Sequence, residues 1–404
     1  MDGHPVIARL APVLATMLAI GCATQRGRGW DRPAPAPSAP GVSLVLLGET
    51  GFPGRTAGHV AAELRRTLAA RRASGVPTIL LWLGDMLGDS CDPTTALEQP
   101  GVRAFAELAR EHAGAGGSGY AVLGDHEWRC GAPSVHVQPD AGPRPWRMPA
   151  ANYVVRVARD GTSAPASQCS DRMCTVEPAT DAALVDLVLL DTAAWLGPAS
   201  RGPLLAAADA SLLQQQALLA ALEATPSSVP RLLVTHNPVE TAGPHGQGGL
   251  YPDSAYSLHP EPLRRAIARG VFAGALSGRD RDVSATADIF DAVKRSSRFW
   301  LAHPMFQVVS GAAAHPDGAP SGGRRGWVFY QGQSLNPDLL SNRAGFAELV
   351  VGPETYTAQL HQRRRGRWHA AQIVVPRERP PHPVETTSPV MDPCLRCDPL
   401  KPNQ

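Results

Sequence analysis

The chain has 404 residues, of which 43% are hydrophobic and 18% are charged, and these values exclude a fully disordered chain. This length is enough for one large domain or two smaller ones with a sizeable core. The formal net charge of +2 gives no reason to expect a nucleic acid as a partner, nor attraction to an acidic membrane surface.

The first 22 residues resemble the signal peptide of a bacterial lipoprotein. An apolar stretch over residues 10–20 follows Arg9 and is too short to span a bilayer as a helix. The stretch ends in the sequence LAIGC, which resembles a lipobox, the motif whose cysteine, here Cys22, is lipidated. We therefore predict a protein of the cell envelope, in the periplasm or outer membrane of a bacterium, held at the membrane by this lipid alone. An ordinary apolar segment with a chance cysteine is the alternative.

The remaining six cysteines form an even set that suits disulfides in an oxidising compartment. The candidate pairs are Cys91 with Cys130, Cys169 with Cys174, and Cys394 with Cys397. The first pair follows two similar turns at similar distances, the second brackets a short polar loop, and the third lies in a Pro-rich segment. Zinc is the alternative for the third pair, but two cysteines make only half of a zinc site, so disulfides are favoured.

Strands and helices alternate along most of the chain. The predicted strands are residues 42–47, 79–83, 120–123, 153–157, 184–190, 232–235 and 271–276, followed by three expected antiparallel strands at 306–309, 326–330 and 346–351. The predicted helices are residues 56–74, 97–113, 204–224 and 262–269. This pattern predicts one α/β domain over residues 42–375 with two sheets, preceded by a Pro-rich tether over residues 23–41. Residues 376–404 are predicted to be a Pro-rich disordered tail.

Four of these strands lead into acidic residues or a histidine. The residues are Glu49, Asp85, Asp125 with His126, and His236. Open α/β sheets keep their sites at the carboxyl ends of their strands. The sequence therefore predicts one convergent site of the metal-binding type.

Five short motifs at these positions resemble those of the calcineurin-like metallophosphoesterases, and within that superfamily the purple-acid-phosphatase-like branch. The motifs are GETG at residues 48–51, GD at 84–85, GDHE at 124–127, VTHNP at 234–238 and LSGRDR at 276–281. They resemble, in that order, the GDxG turn, the start of the GDxxY turn, the GNH[DE] turn, the histidine–proline loop and the GHxH position. The resemblance covers most of residues 42–351. It implies a four-layer αββα sandwich of two mixed β-sheets flanked by helices.

The resemblance also implies roles for individual residues. Two metal ions (Fe, Zn or Mn) would clamp a phosphoester, or another small anion, and generate a hydroxide nucleophile. Asp85 would bridge the ions, and Glu49 and Asp125 would each bind one of them. His236 would be an imidazole ligand, and His126 would face the phosphate as an acid or an electrostatic stabiliser.

The chain departs from the family pattern at most of these positions. Glu49 replaces Asp, Asp125 replaces Asn, and Gly88 stands where the branch has a ligand Tyr. Arg279 and Arg281 replace both histidines of GHxH, and a guanidinium has no lone pair for a metal.

These changes share one electrostatic direction, because two imidazoles are replaced by two fixed cations while the carboxylates remain. Our hypothesis is that Arg279 and Arg281 pair with the carboxylates of residues 49, 85 and 125 and substitute for the metals. The protein would then be a non-catalytic binding or scaffold module that needs no metal. The alternative is an active phosphomonoester or phosphodiester hydrolase with an altered, mononuclear site on Asp85, Asp125 and His236, assisted by Glu49. The sequence leaves open whether the protein is an enzyme.

Overall fold

The computed structural model describes residues 41–51, 56–86, 88, 98–131, 146–170, 172–196, 204–240, 259–280, 282–289, 303–313, 328–330, 333–335, 339–341 and 343–379. The helices are Ala57–Ala73 (α1), Pro100–Gly114 (α2), Asp125–Arg129 (α3), Ala193–Leu196 (α4), Leu205–Ala224 (α5) and Glu261–Ala268 (α6). The strands are Val42–Leu47 (β1), Thr78–Leu83 (β2), Ser118–Val122 (β3), Tyr153–Ala158 (β4), Ser163–Pro165 (β5), Ser167–Cys169 (β6), Cys174–Val176 (β7), Ala183–Leu190 (β8), Arg231–Thr235 (β9), Gly274–Ser277 (β10), Val283–Thr286 (β11), Phe306–Ser310 (β12), Val328–Tyr330 (β13), Gln333–Leu335 (β14), Leu339–Ser341 (β15), Gly345–Val351 (β16), Thr355–Arg364 (β17) and Arg367–Pro376 (β18).

Two large mixed sheets organise these strands. Sheet A has six strands in the order β18-β17-β16-β1-β2-β3, with β1, β2 and β3 parallel to one another. Sheet B has eight strands in the order β15-β11-β12-β10-β9-β8-β4-β5, with β8, β9, β10 and β12 parallel. Sheet A is therefore parallel on its β3 side and antiparallel on the other, whereas sheet B has a parallel centre and antiparallel margins. The parallel strands of each sheet all end at the same edge.

The alternation of side chains along the strands produces four layers. In β1, Leu44 and Leu46 belong to the hydrophobic cluster between the two sheets, whereas Val45 belongs to the cluster with α1 and α2. In β8, Leu187 and Val188 divide in the same way, the first towards sheet A and the second towards α5 and α6. Since both faces of both sheets are covered, their central strands are mostly apolar. The structure confirms the expected αββα sandwich of two mixed sheets flanked by helices.

The predicted helices lie within three residues of the observed bounds, but one predicted strand orientation needs correction and several strands were not predicted. The strand at Phe306 is antiparallel to β11 as expected, yet it is also parallel to β10, because it lies between these two strands. β11 itself was not predicted from the sequence, and neither was the long antiparallel pair β17 and β18. The pair extends sheet A at the edge opposite to β3. The short strands β5, β6, β7, β14 and β15 were not predicted either.

Residues 377–379, at the start of the predicted disordered tail, are packed. Arg377 donates hydrogen bonds to the carbonyls of Gly352 and Leu184, and Arg379 donates to the carbonyl of Ala287. Arg377 and Arg379 therefore connect sheet A with sheet B. The rest of the predicted tail, from residue 380, lies outside the described residues.

The predicted disulfide between Cys169 and Cys174 is confirmed, and it closes the turn between β6 and β7. Cys130 is also disulfide-bonded, whereas Cys91, its predicted partner, lies outside the described residues. Cys22, Cys394 and Cys397 lie outside them too, together with the predicted signal peptide and tether. In the part of the chain that the structure describes, no helix is long and apolar enough to cross a membrane.

Candidate functional site

The carboxyl ends of the parallel strands in both sheets meet at one edge of the sandwich. In sheet A, β1, β2 and β3 lead into Glu49, Asp85 and Asp125, and in sheet B, β9 and β10 lead into His236 and Arg279. These five residues are between 0% and 7% exposed. The structure thus brings together side chains that are far apart in the sequence, and it places three carboxylates, an imidazole and a guanidinium in one buried region.

Glu49 and Asp85 adopt the left-handed backbone conformation, with φ of 57° and 55°. Such a conformation costs a residue other than glycine about 1–3 kcal/mol and persists where the surroundings impose it. Gly84 makes the turn after β2 possible, because a Cβ at this residue would collide with the His236 ring. The backbone is therefore strained at the two acidic residues that face the imidazole.

Glu127 holds two of these turns together. Its Oε2 accepts hydrogen bonds from the N–H groups of Asp85 and Gly124, each at 2.8 Å, and its Oε1 accepts one from Met86 at 2.8 Å. Burial and the nearby Asp85 charge raise the pKa of Glu127, although the N–H donors oppose this rise. The sequence analysis included Glu127 in a motif but assigned it no role, and its position three residues after the helix N-cap was the available signal.

His236 is oriented by the end of β2. Its Nδ1 lies 2.7 Å from the carbonyl oxygen of Leu83, which can only accept, so Nδ1 carries the proton in the neutral ring. The Nε2 lone pair then points to Asp85, 3.5 Å from Oδ2. This Nε2 is buried and makes no hydrogen bond. A lone pair facing a carboxylate is repulsive unless a proton or another cation lies between them.

Glu49, Asp85 and His236 form a group that we name the carboxylate–histidine cluster. Each residue offers one ligand atom, and these atoms all lie within 4.8 Å of one another. Burial would raise the pKa of Asp85, but the charges of His236 and His126 and the hydrogen bond from the His126 N–H outweigh it, so this pKa is lowered. The environment of the cluster therefore favours positive charge next to Asp85.

Asp125 has a different partner. Arg279 contacts both of its carboxylate oxygens, with Nη1 at 3.1 Å from Oδ1 and Nη2 at 2.6 Å from Oδ2, and we name this contact the arginine–aspartate pair. The Arg279 Nη1 also donates to Oδ1 of Asn237 at 2.5 Å. Only 9% and 8% of the two charged side chains are exposed, so the pair is shielded from water.

Asn237 is itself oriented by the strand end after β8. Its backbone N–H and its Nδ2 both donate to Oγ1 of Thr192, at 3.0 and 3.1 Å, which leaves Oδ1 to accept from Arg279. Asp191, the residue before Thr192, accepts hydrogen bonds from Trp128 and Ser211, and burial raises the pKa of Asp191 to about 6. The sequence analysis gave this strand end no ligand role and did not single out Asn237. The histidine–proline loop, which contains Asn237, was the available signal.

His126 lies at the more exposed side of the site. Its backbone N–H donates to Asp85 Oδ1 at 3.0 Å, and its ring Nε2 is 3.9 Å from Asp85 Oδ2. The ring also lies beside the exposed guanidinium of Arg129, at 3.4 Å. With 12% of its side chain exposed, His126 is the site histidine that a ligand from solvent would meet.

Gly88 and Arg279 are two positions at which the sequence differs from the motifs that it resembles, and the structure describes both. Gly88 has φ of 59°, and a Cβ there would collide with the carbonyl oxygen of Gly51, so this backbone has no room for the Tyr of the family motif. Arg281 lies outside the described residues, so its predicted pairing stays a prediction. Arg279 contacts one of the three carboxylates that the hypothesis named, Asp125.

Several solved structures resemble this chain. GAP50, described as the anchor in the inner membrane complex of Plasmodium, has 14% identity and a TM-score of 0.50 over 82% of this chain and 89% of that chain. At this identity, the likeness is one of fold alone. PhoD matches with 11% identity and a TM-score of 0.43, over 84% of this chain and 70% of its own. A 5'-nucleotidase from Candida albicans has 10% identity and a TM-score of 0.35, over 84% of this chain and 53% of that chain. No family model and no curated protein sequence matches the chain.

Proposed function

We propose that this protein is a non-catalytic module built on the metallophosphoesterase fold, exported and held at the cell envelope by a lipid on Cys22. The observation that supports the proposal is the buried arginine–aspartate pair. A guanidinium is permanently charged and has no lone pair to give to a metal. Arg279 therefore compensates Asp125 without an ion, and its charge repels a cation from the neighbouring position.

The carboxylate–histidine cluster fits at most one divalent ion. Two carboxylate oxygens and an imidazole nitrogen are a donor set that Fe, Zn and Mn accept. The buried Nε2 of His236, which makes no hydrogen bond, is the atom that such an ion would satisfy. Glu49, Asp85 and His236 would hold the ion, and it would supply a fixed positive charge between them.

Glu127 and Leu83 prepare this cluster from the protein side. Glu127 holds the backbone of Asp85 in its turn, and the Leu83 carbonyl keeps the His236 proton on Nδ1. These contacts fix the ligand atoms before any ion arrives, which lowers the ordering cost of binding. The module could therefore bind an ion for stability without hydrolysing an ester.

The alternative is a phosphoesterase that works with this single cluster. The position of His126 favours it, because this ring lies beside Asp85 at the exposed side of the site and could donate a proton to a leaving group. A phosphoester substrate would then contact His126 from solvent. The two candidate functions differ in turnover, so one set of measurements separates them.

The test combines metal content with hydrolysis. The purified full chain is treated with a chelator, supplied with Mn, Zn or Fe, and analysed for bound metal and for cleavage of p-nitrophenyl phosphate and its diester. We expect no more than one ion per chain, lost in His236→Ala but kept in His303→Ala, an exposed control. We also expect the wild-type chain to cleave these two substrates no faster than the Asp85→Asn variant does.

Two results would decide against the proposal. Two ions per chain would show that Arg279 does not block the second position. Metal-dependent cleavage that disappears in Asp85→Asn would establish the phosphoesterase instead.

A further inference from the structure

A second concave region lies at the opposite end of sheet B. A cavity of about 800 Å³ is lined by Arg231, the first residue of β9, and by Ala273, which immediately precedes β10. The candidate site instead follows Thr235, the last residue of β9. Since five residues of strand span about 16 Å, the cavity and the candidate site are separate.

Arginines dominate the charged lining of this cavity. The charged and titratable residues that line it are Arg159, Arg231, Arg377 and Arg379, together with His303, Glu354 and Glu378. In the described part of the chain, no ion pair joins any of the four arginines to a carboxylate. The lining therefore carries more positive than negative charge, and none of its guanidiniums forms an ion pair with a carboxylate among the described residues.

Backbone carbonyls take the place of such counter-ions. Arg231 donates to Leu222 at 2.8 Å and to Thr225 at 2.6 Å. The hydrogen bonds of Arg377 and Arg379 likewise all end on carbonyl oxygens. A carbonyl accepts a hydrogen bond but has no net charge, so these contacts orient the guanidiniums without neutralising them.

Burial makes the positive charge of these guanidiniums costly. It lowers the pKa of both Arg231 and Arg379, although Asp186 acts on the first and Asp288 on the second in the opposite direction. An anion in the cavity would offset this cost, as a carboxylate does for Arg279 at the other end of the sheet.

We propose that this cavity binds a soluble small molecule that carries two or more phosphate groups. Guanidiniums match phosphate oxygens in geometry, and each has five N–H donors, of which the carbonyls take only some. The volume lies within the range of small-molecule sites, and a concave wall suits a soluble ligand better than a membrane surface. The carbonyl contacts hold the guanidiniums in place before binding, which lowers the ordering cost.

The test uses the purified full chain and tripolyphosphate as the probe, with calorimetry at constant ionic strength. Arg159 is exposed, so Arg159→Glu reverses a charge at the cavity without breaking a described contact. The control is Arg367→Glu, an exposed arginine at the far end of β18, about 30 Å of strand away from the cavity. We expect saturable binding that weakens about tenfold or more in the first variant and by less than about twofold in the second.

Three results would overturn the proposal. The first is an absence of saturable tripolyphosphate binding by the wild-type chain. The second is equal weakening in both variants, which would mean that only overall charge matters. The third is binding to phosphatidylglycerol vesicles without binding to tripolyphosphate, which would make the cavity wall a membrane-facing surface.

Discussion

At one side of the candidate site Asp125 lies against the guanidinium of Arg279, while at the other side Glu49 and Asp85 lie against the imidazole of His236. Both sides bury carboxylates, and a buried carboxylate needs a positive partner or hydrogen bonds. The arginine supplies a charge that no physiological pH removes. The histidine supplies one only when it is protonated, so the carboxylate–histidine cluster keeps the ability to accept a cation from outside the chain.

Removing the arginine should have the largest effect, because it takes away the property that distinguishes the two sides. Arg279→Met leaves Asp125 buried without its cation, and we expect the free energy of unfolding to fall by about 3–5 kcal/mol. Urea unfolding followed by circular dichroism measures this loss.

The control for this prediction replaces both partners. Arg279→Met combined with Asp125→Leu removes the buried charge along with its partner, so we expect part of the stability to return. A loss below about 1 kcal/mol in the single variant would mean that the pair is solvated like an exposed salt bridge.

Asp191 adds a third kind of buried carboxylate to the comparison between the arginine side and the histidine side of the site. Its described partners are hydrogen-bond donors rather than cations. Burial raises its pKa to about 6, above the unfolded value of 3.8. Its contribution to stability is therefore fully present below about pH 4 and is lost as the pH rises through 6. We expect the wild type to lose about 2 kcal/mol between pH 4 and pH 7 relative to Asp191→Asn, from the size of this pKa difference.

The free energy of unfolding is measured for both proteins at several pH values. The slopes of the two curves of free energy against pH are then compared. The substitution also alters hydrogen bonds with Trp128 and Ser211, so a constant offset between the two curves is expected. Parallel curves from pH 4 to pH 7 would contradict the raised pKa of Asp191.

Glu127 should give the smallest of these effects, because three backbone N–H groups hold its carboxylate in place. In Glu127→Gln, the new NH₂ group must face one of these N–H donors, and we expect a loss of about 1–3 kcal/mol. Glu107→Gln is the matched control on the exposed face of α2, with an expected change within about 0.5 kcal/mol. Equal losses in the two variants would show that the hydrogen bonds of Glu127 are not needed to hold the turns.

Much of the fold could be predicted, because the strong periodic signals are local. The strands at the centre of each sheet are continuous apolar runs, and the helices have clear helical spacing. The pair β17 and β18 was missed although every second residue over much of β17 is buried, because polar and charged residues on its other face hide the pattern. The orientation of β12 was only half correct, because this strand lies between β10, to which it is parallel, and β11, a short antiparallel strand that the sequence does not mark clearly.

The candidate site was predicted unevenly. The residues at the strand ends were identified, since a turn after an apolar run is visible in the sequence. The roles of Glu127 and Asn237 were not, because their partners are the backbone of another turn and a side chain that follows another strand, more than 40 residues away in the sequence.

The sequence by itself determined the order of the helices and of the central strands, and the set of charged residues that the strands deliver to one edge. The layers were implied by the resemblance to a known family. Hydrophobic periodicity and strand-end turns are properties of neighbouring residues, so they can be detected without coordinates. Only the tertiary structure decided that Arg279 pairs with Asp125, while Asp85 and Glu49 lie with His236. This choice depends on distances of a few ångström between strands of different sheets and on burial from water, which set the strength of every charge interaction in the site.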